Sequence, residues 1–185
     1  MRKLVYAINL TIDGCLDHTK IGGSDEMLDT VWLNILREAG ALLYGRVTYE
    51  LMVPYWPDVA KDPTSTRSEL EFARAFDSVE KVVFSKSLEK VEDGNSRIVR
   101  SKPEDEILKL KKQEGNSLLL GGVALPSYLI ERGLVDEFIF VVHPLIVGEG
   151  RRLLGGVSLQ ERLQLKLVDS KVFKSGAVLL HYVKP

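Results

Sequence analysis

Ser117-Leu-Leu-Leu-Gly121-Gly122-Val-Ala-Leu-Pro-Ser-Tyr-Leu-Ile-Glu-Arg-Gly133-Leu-Val-Asp-Glu-Phe-Ile-Phe-Val-Val-His143-Pro144 reads as strand, glycine pair, short helix, glycine stop and second strand. The apolar run Leu118 to Leu120 is far too short to span a membrane and suits a strand buried on both faces. Gly121 and Gly122 let the backbone approach a ligand closely where the helix begins. The helix start offers unpaired N–H groups and partial positive charge, a combination that suits phosphate. Gly133 falls where a left-handed residue closes a helix, and Glu137 to His143 resumes as a strand that Pro144 ends.

Upstream, Lys3 to Leu10 reads as a first, central strand, followed by a loop from Thr11 to Gly23 with Asp13-Gly14 and Gly22-Gly23 as turns. Ser24 is the expected N-cap of a helix with Asp25 and Glu26 in its first turn. Its apolar face is Leu28, Val31, Trp32, Ile35, Leu36 and Ala39, and Gly40 is expected to stop it. Ala41 to Tyr44 is a buried strand closed by Gly45-Arg46. A short helix is expected from about Thr48 to Pro54, with Tyr55-Trp56-Pro57 and Asp62-Pro63 in a surface excursion.

Thr66-Arg-Ser-Glu69 has the spacing of a capping box before another helix. Glu80 to Phe84 is a strand ending in Ser85-Lys86-Ser87, Arg97 to Arg100 a small strand, and Pro103 opens a helix at its first turn. After Pro144 come Gly148-Glu-Gly150 and Gly155-Gly156, then an antiparallel hairpin turned at Lys174-Ser-Gly176 and closed by Ala177 to Val183. This order predicts a single domain, 1–185, with a three-layer α/β/α arrangement. Its central sheet is mostly parallel and ends in a C-terminal antiparallel hairpin.

The 185 residues are 45% hydrophobic and 28% charged, with a net charge of -1, so nothing points to nucleic acid. Cys15 is the single cysteine, which excludes an internal disulfide and a thiolate metal cluster. The start of the chain turns polar before a signal-peptide core forms, and no run reaches transmembrane length. The expected location is the cytoplasm, with no membrane partner and no metal.

Parallel strands put their carboxyl ends on one edge, where ligands bind. Three strand ends carry groups suited to phosphate: Gly45-Arg46, Ser85-Lys86-Ser87 and Gly121-Gly122. Arg46 can grip a phosphate bidentately, Thr48 adds a hydroxyl, and Ser85 with Lys86 suits a 2′-phosphate, favouring NADP over NAD. There is no G-x-G-x-x-G and no P-loop motif.

The motif order carries a resemblance. Asp13-Gly14, Gly45-Arg46-Val-Thr48-Tyr49-Glu50, Ser85-Lys86, Gly121-Gly122, Gly133-Leu-Val-Asp136-Glu137, Pro144 and Gly148-x-Gly150 resemble the dihydrofolate-reductase-like superfamily. Within it the chain most resembles the C-terminal reductase domain of the bifunctional riboflavin-biosynthesis deaminase–reductase and its stand-alone relatives. No zinc-deaminase signature accompanies it. The resemblance implies NADPH as hydride donor and a homodimer. It implies that Gly45, Arg46 and Thr48 meet the adenosine-side phosphates, and that Ser85 and Lys86 lie by the 2′-phosphate and adenine. Gly121, Gly122 and the backbone N–H groups of Val123, Ala124 and Leu125 would hold the diphosphate, and Ala7 and Ile8 would line the nicotinamide.

Asp29 is the candidate catalytic carboxylate, since folate reductases place theirs sixteen residues before the residue matching Gly45. It has two readings: a half-buried acid facing a heterocycle, or a solvated helix-face residue. Folate reductases carry Thr where this chain has Val142, so the pterin-reading pair is incomplete. His143 is read as a satisfied structural histidine, His18 as an exposed loop residue, His181 as solvent-facing, and Trp32 and Trp56 as packing or pocket wall. Asp13 is read as shaping its loop, and Cys15 as inert. The implied function is an NADPH-dependent reductase of a small heterocycle or its ribosyl derivative, such as 5-amino-6-(5-phosphoribosylamino)uracil. Dihydrofolate reductase and a non-catalytic NADP-binding protein are the alternatives.

Overall fold

A computed structural model describes residues 1–22 and 24–185; Gly23, one of the expected turn glycines, and the side chain of Asp25 lie outside the described residues. The chain runs β1 (Leu4–Thr11), a 3-10 turn (His18–Lys20), α1 (Asp25–Met27), a π-turn (Leu28–Trp32), α2 (Leu33–Arg37), β2 (Ala39–Gly45), α3 (Arg46–Val59) and α4 (Arg67–Ser78). It continues through β3 (Lys81–Phe84), β4 (Ser96–Val99), α5 (Pro103–Lys112), β5 (Ser117–Leu120), α6 (Ala124–Glu131), β6 (Glu137–His143), β7 (Lys166–Val172) and β8 (Val178–Val183). The eight strands follow the order β4-β3-β2-β5-β1-β6-β8-β7. The pairs β2–β3, β3–β4 and β1–β6 are parallel, and the C-terminal pairs β6–β8 and β7–β8 are antiparallel. This is the α/β sheet expected from the sequence. Only β7 is an edge strand of the closing hairpin, because β8 lies between β6 and β7.

Two compact units are present, one comprising Met1–Arg2 with Gly23–Leu119 and the other Lys3–Gly22 with Leu120–Pro185. The first packs Leu33, Leu36, Leu42, Phe72, Phe76 and Val83 into one apolar cluster. Trp32 and Trp56 pack against it, as expected. The capping box at Thr66 forms in full: its hydroxyl accepts from the Glu69 N–H, and the Glu69 carboxylate accepts from the Thr66 N–H at 2.8 Å.

Two expectations in this unit fail for identifiable reasons. Pro54 does not stop a helix: α3 begins at Arg46 and runs through both Pro54 and Pro57 to Val59. Each proline removes one backbone donor and crowds the turn before it. Packing compensates, since the Trp56 ring lies 4.3 Å from that of Phe72, so Tyr55-Trp56-Pro57 is helix rather than surface excursion. Gly40 does not end the preceding helix either, because α2 ends at Arg37 and Gly40 already belongs to β2. Its lack of a side chain answers a close approach. A Cβ there would stand 2.6 Å from the buried Arg2 guanidinium and 3.2 Å from Asn116.

In the second unit, α6 buries Leu125, Leu129 and Ile130. Gly133 takes φ 65°, and the N–H groups of Gly133 and Leu134 reach back to the carbonyls of Ile130 and Leu129, closing the helix as expected. His181 is not simply solvent-facing. Its Nε2 lies 3.0 Å from the Glu137 carboxylate, which Lys3 also contacts.

Candidate cofactor site

The first unit brings two of the three phosphate-type strand ends together. β2 and β3 are parallel, with Gly45 opposite Phe84, so Gly45-Arg46 and Ser85-Lys86 leave the sheet side by side. Gly45 is also the N-cap of the 14-residue α3, and no side chain caps that end. The first N–H groups of α3 are therefore left for solvent or an anion. Nothing lies within 4 Å of where a Gly45 side chain would begin, so the approach is open. Arg46 is exposed and engages Glu50 at 3.1 Å. An exposed i,i+4 pair contributes only about 0.3–0.5 kcal/mol, so an anion can displace it. Thr48 is half-buried in the same turn.

The Ser85 hydroxyl accepts from the N–H groups of Ser87 at 3.2 Å and Leu88 at 2.9 Å, which winds the loop into a tight turn. Lys86 is exposed beside it. Sequence reading missed Arg100, whose guanidinium donates to carbonyls of this loop. Its signal was available, since Arg100 follows β4 as Arg46 follows β2: a basic residue at a parallel strand end.

Asp29 also belongs to this unit, in the π-turn Leu28–Trp32. The Thr30 hydroxyl and the Asn34 amide each bond the carbonyl four residues back, at 2.6 and 3.1 Å, and accompany this widened turn. A π-turn is rare and concentrates at functional sites. The Asp29 side chain is exposed rather than half-buried, and its carboxylate accepts from the Ser68 hydroxyl at 2.8 Å.

The second unit holds the other predicted positions. Ala7 is buried and Ile8 half-buried on β1, opposite Ile139 and Phe140 of β6. Gly122 takes φ 88°, a conformation that side chains disfavour, and the Tyr6 hydroxyl donates to its carbonyl at 3.0 Å. Burial pushes the Tyr6 phenol pKa well up, so it remains a neutral donor. α6 starts after Val123 with no side-chain cap, leaving the Ala124 and Leu125 N–H groups available. Val123 and Ala124 line a cavity of about 610 Å³ together with Ser127, Tyr128, Arg151 and Arg152.

Asp13 shapes its loop, as expected. It accepts from the Thr11 hydroxyl at 2.5 Å and from the Gly148 and Val147 N–H groups at 2.9 and 3.3 Å. These bonds, Thr11 first, hold its pKa down to about 2. The loop after β1 is thereby tied to the loop after β6, with further backbone bonds from Ile12 to Leu145 and from Leu16 to Arg151. Because the folded pKa lies below the ordinary value, this contribution to stability is full above about pH 4 and is lost as pH falls towards 2. The thermal midpoint of the native protein should therefore fall more steeply over that interval than that of Asp13→Asn. Parallel curves would refute this.

His143 is a satisfied buried histidine: its Nε2 lies 2.9 Å from the Asn9 side-chain oxygen, and burial lowers its pKa. Cys15 is buried. It explains Gly150, where φ is 114° and a Cβ would stand 2.5 Å from the Cys15 sulfur. Among the described residues, no three His, Cys, Asp or Glu side chains are grouped to hold a metal ion. No helix among them is long and apolar enough to cross a membrane.

The sequence profile of the RibD C-terminal domain family matches residues 2–179. The uncharacterized protein YyaP of Bacillus subtilis (strain 168) is 31% identical over 185 residues, covering 98% of this chain and 94% of that protein. The fold matches the diaminohydroxyphosphoribosylaminopyrimidine deaminase/5-amino-6-(5-phosphoribosylamino)uracil reductase of Thermotoga maritima with TM-score 0.67 at 16% identity. That match covers 100% of this chain and 57% of that one, so the chain spans little more than half of the bifunctional protein. It also matches dihydrofolate reductase of Enterococcus faecalis, complexed with NADP(H), with TM-score 0.64 at 14% identity, covering 98% and 96% of the two chains.

Proposed function

Since the chain belongs to the RibD C-terminal domain family, we propose that it is an NADPH-dependent reductase acting on a ribosylaminouracil or a similar small heterocycle. The observation that carries this reading is the parallel register of β2 and β3. It sets an uncapped helix start, Arg46 and Lys86 side by side at one sheet edge. Two cations and a row of free N–H groups suit the adenosine-side phosphates, including a 2′-phosphate. In the second unit, Gly122 and the uncapped start of α6 offer donors suited to the diphosphate. Ala7 and Ile8 offer an apolar surface for the nicotinamide. Bound NADPH supplies the hydride; the chain's share is to hold both phosphate groups, orient the ring and place a proton source. Asp29 is the proposed proton-side residue. Val142 lies opposite Leu10 and brings no hydroxyl to that end of β6, which disfavours a pterin. The same reading implies a homodimer in the cytoplasm, and light scattering at micromolar concentration checks the dimer.

Titration with NADPH and NADH, read as a shift in thermal midpoint, tests the cofactor. NADPH should stabilise the protein more than NADH; no response to NADPH at millimolar concentration overturns the reading. Arg46→Ala removes one charge-assisted contact of about 2 kcal/mol and should weaken NADPH roughly 30-fold. NADH should lose much less. Equal losses would assign Arg46 to a phosphate that both cofactors share.

A further inference from the structure

Arg100 is exposed at the end of β4, yet its guanidinium does not point freely to water. One terminal nitrogen donates to the carbonyls of Ser85 at 3.4 Å and Lys86 at 3.1 Å. The other donates to those of Leu88 at 2.8 Å and Glu89 at 3.4 Å. Four carbonyl oxygens of one five-residue loop thus turn towards a single cation. Meanwhile the N–H groups of Ser87 and Leu88 are held by the Ser85 hydroxyl. A loop closed this way has two consequences. Carbonyl dipoles that would repel an anion are withdrawn and neutralised. The backbone carrying Lys86 is ordered before any ligand arrives, which lowers the entropy lost on binding.

We propose that Arg100 is a specificity-determining positioning residue: it pre-shapes and charges the Ser85–Glu89 loop to receive the 2′-phosphate of the dinucleotide. The inference rests on the NADPH reading and adds to it the reason this loop favours the phosphorylated cofactor. Arg100 acts through the loop and makes no contact with the cofactor. A flat guanidinium matters here because one fork must reach four carbonyls, and a lysine ammonium has three donors on a single atom.

The test measures dissociation constants for NADPH and NADH in the native protein, Arg100→Lys and Arg100→Gln. The NADPH preference should fall about tenfold in Arg100→Gln and by a smaller factor in Arg100→Lys, which keeps the charge and loses the fork. NADH affinity should stay within about twofold. A merely structural role would weaken both cofactors together, so an unchanged ratio overturns the proposal. Hydrogen exchange on the native protein gives a second readout that needs no variant. Adenosine 2′,5′-bisphosphate should protect amides 85–89, and adenosine 5′-monophosphate should not. Equal protection by both, or by neither, overturns the proposal. Absence of NADPH binding by the native protein, with loop protection by the bisphosphate intact, overturns the reductase reading and leaves Arg100 as an organiser of a phosphate site.

Discussion

Asp29→Asn should lower kcat about 100-fold, the scale of general acid catalysis, while NADPH affinity stays within about twofold. Reduction of a C=N or ring C=N bond takes a hydride at carbon and a proton at nitrogen. A carboxyl near the substrate supplies that proton or relays it from water. Asn keeps the size and a hydrogen-bonding oxygen but cannot titrate, so binding and proton delivery separate. Two features of Asp29 favour it. It lies in a π-turn, a rare widened helical turn that two side-chain-to-carbonyl bonds accompany. Its carboxylate is also fixed by the Ser68 hydroxyl at 2.8 Å, and Ser68 itself is buried. Ser68→Ala should therefore lower kcat by a smaller factor than Asp29→Asn. NADPH oxidation with 5-amino-6-(5-phosphoribosylamino)uracil as substrate measures both. Unchanged kcat in Asp29→Asn would return Asp29 to the reading of a solvated helix-face residue and leave the proton to water.

The third phosphate-type turn is legible because its signals are local. Gly121-Gly122, the helical run after it and Gly133 each act within a few residues, and the structure follows them, down to the strand Glu137–His143. The same holds for the capping box at Thr66. What the sequence hid depends on contacts between distant residues. Pro54 and Pro57 are local breakers, overruled by the Trp56–Phe72 packing across to α4. Gly40 reads locally as a helix stop, whereas its true constraint, Arg2 and Asn116, lies 38 and 76 positions away along the chain. Arg100 carries the same strand-end signal as Arg46, but its role rests on carbonyls 11 to 15 positions earlier in the chain, which no local pattern displays. Asp29 shows the remaining gap. The resemblance to folate reductases points to the residue, but its exposure and its bond to Ser68, 39 positions along the chain, are tertiary properties.

Asp93→Ala should destabilise the fold by about 3 kcal/mol, because it leaves a buried ammonium uncompensated. Lys81 is 1% exposed at the start of β3, with its Nζ 3.8 Å from the Asp93 carboxylate, 3.2 Å from the Asp77 carbonyl and 4.8 Å from the Phe76 ring centre. Asp93 also accepts from the Tyr49 hydroxyl at 3.0 Å, and Tyr49 in turn accepts from the Glu92 N–H. Tyr49 directly follows Thr48 in the first turns of α3, so the network joins that helix to the segment after the Ser85–Glu89 loop. Burial lowers the Lys81 pKa, and Asp93 opposes that shift. The sign then follows. Between the lowered folded pKa and the ordinary lysine value, the unfolded chain binds more protons, so stability rises with pH across that window. Without Asp93 the folded pKa drops further and the window widens downwards. Urea midpoints of Asp93→Ala and the native protein should therefore differ most at neutral pH and converge as pH rises towards about 10. Asp93→Asn keeps the acceptor for Tyr49 and should fall between them. A gap that stays constant with pH would mean that the loss comes from the Tyr49 hydrogen bond and not from the stranded charge of Lys81.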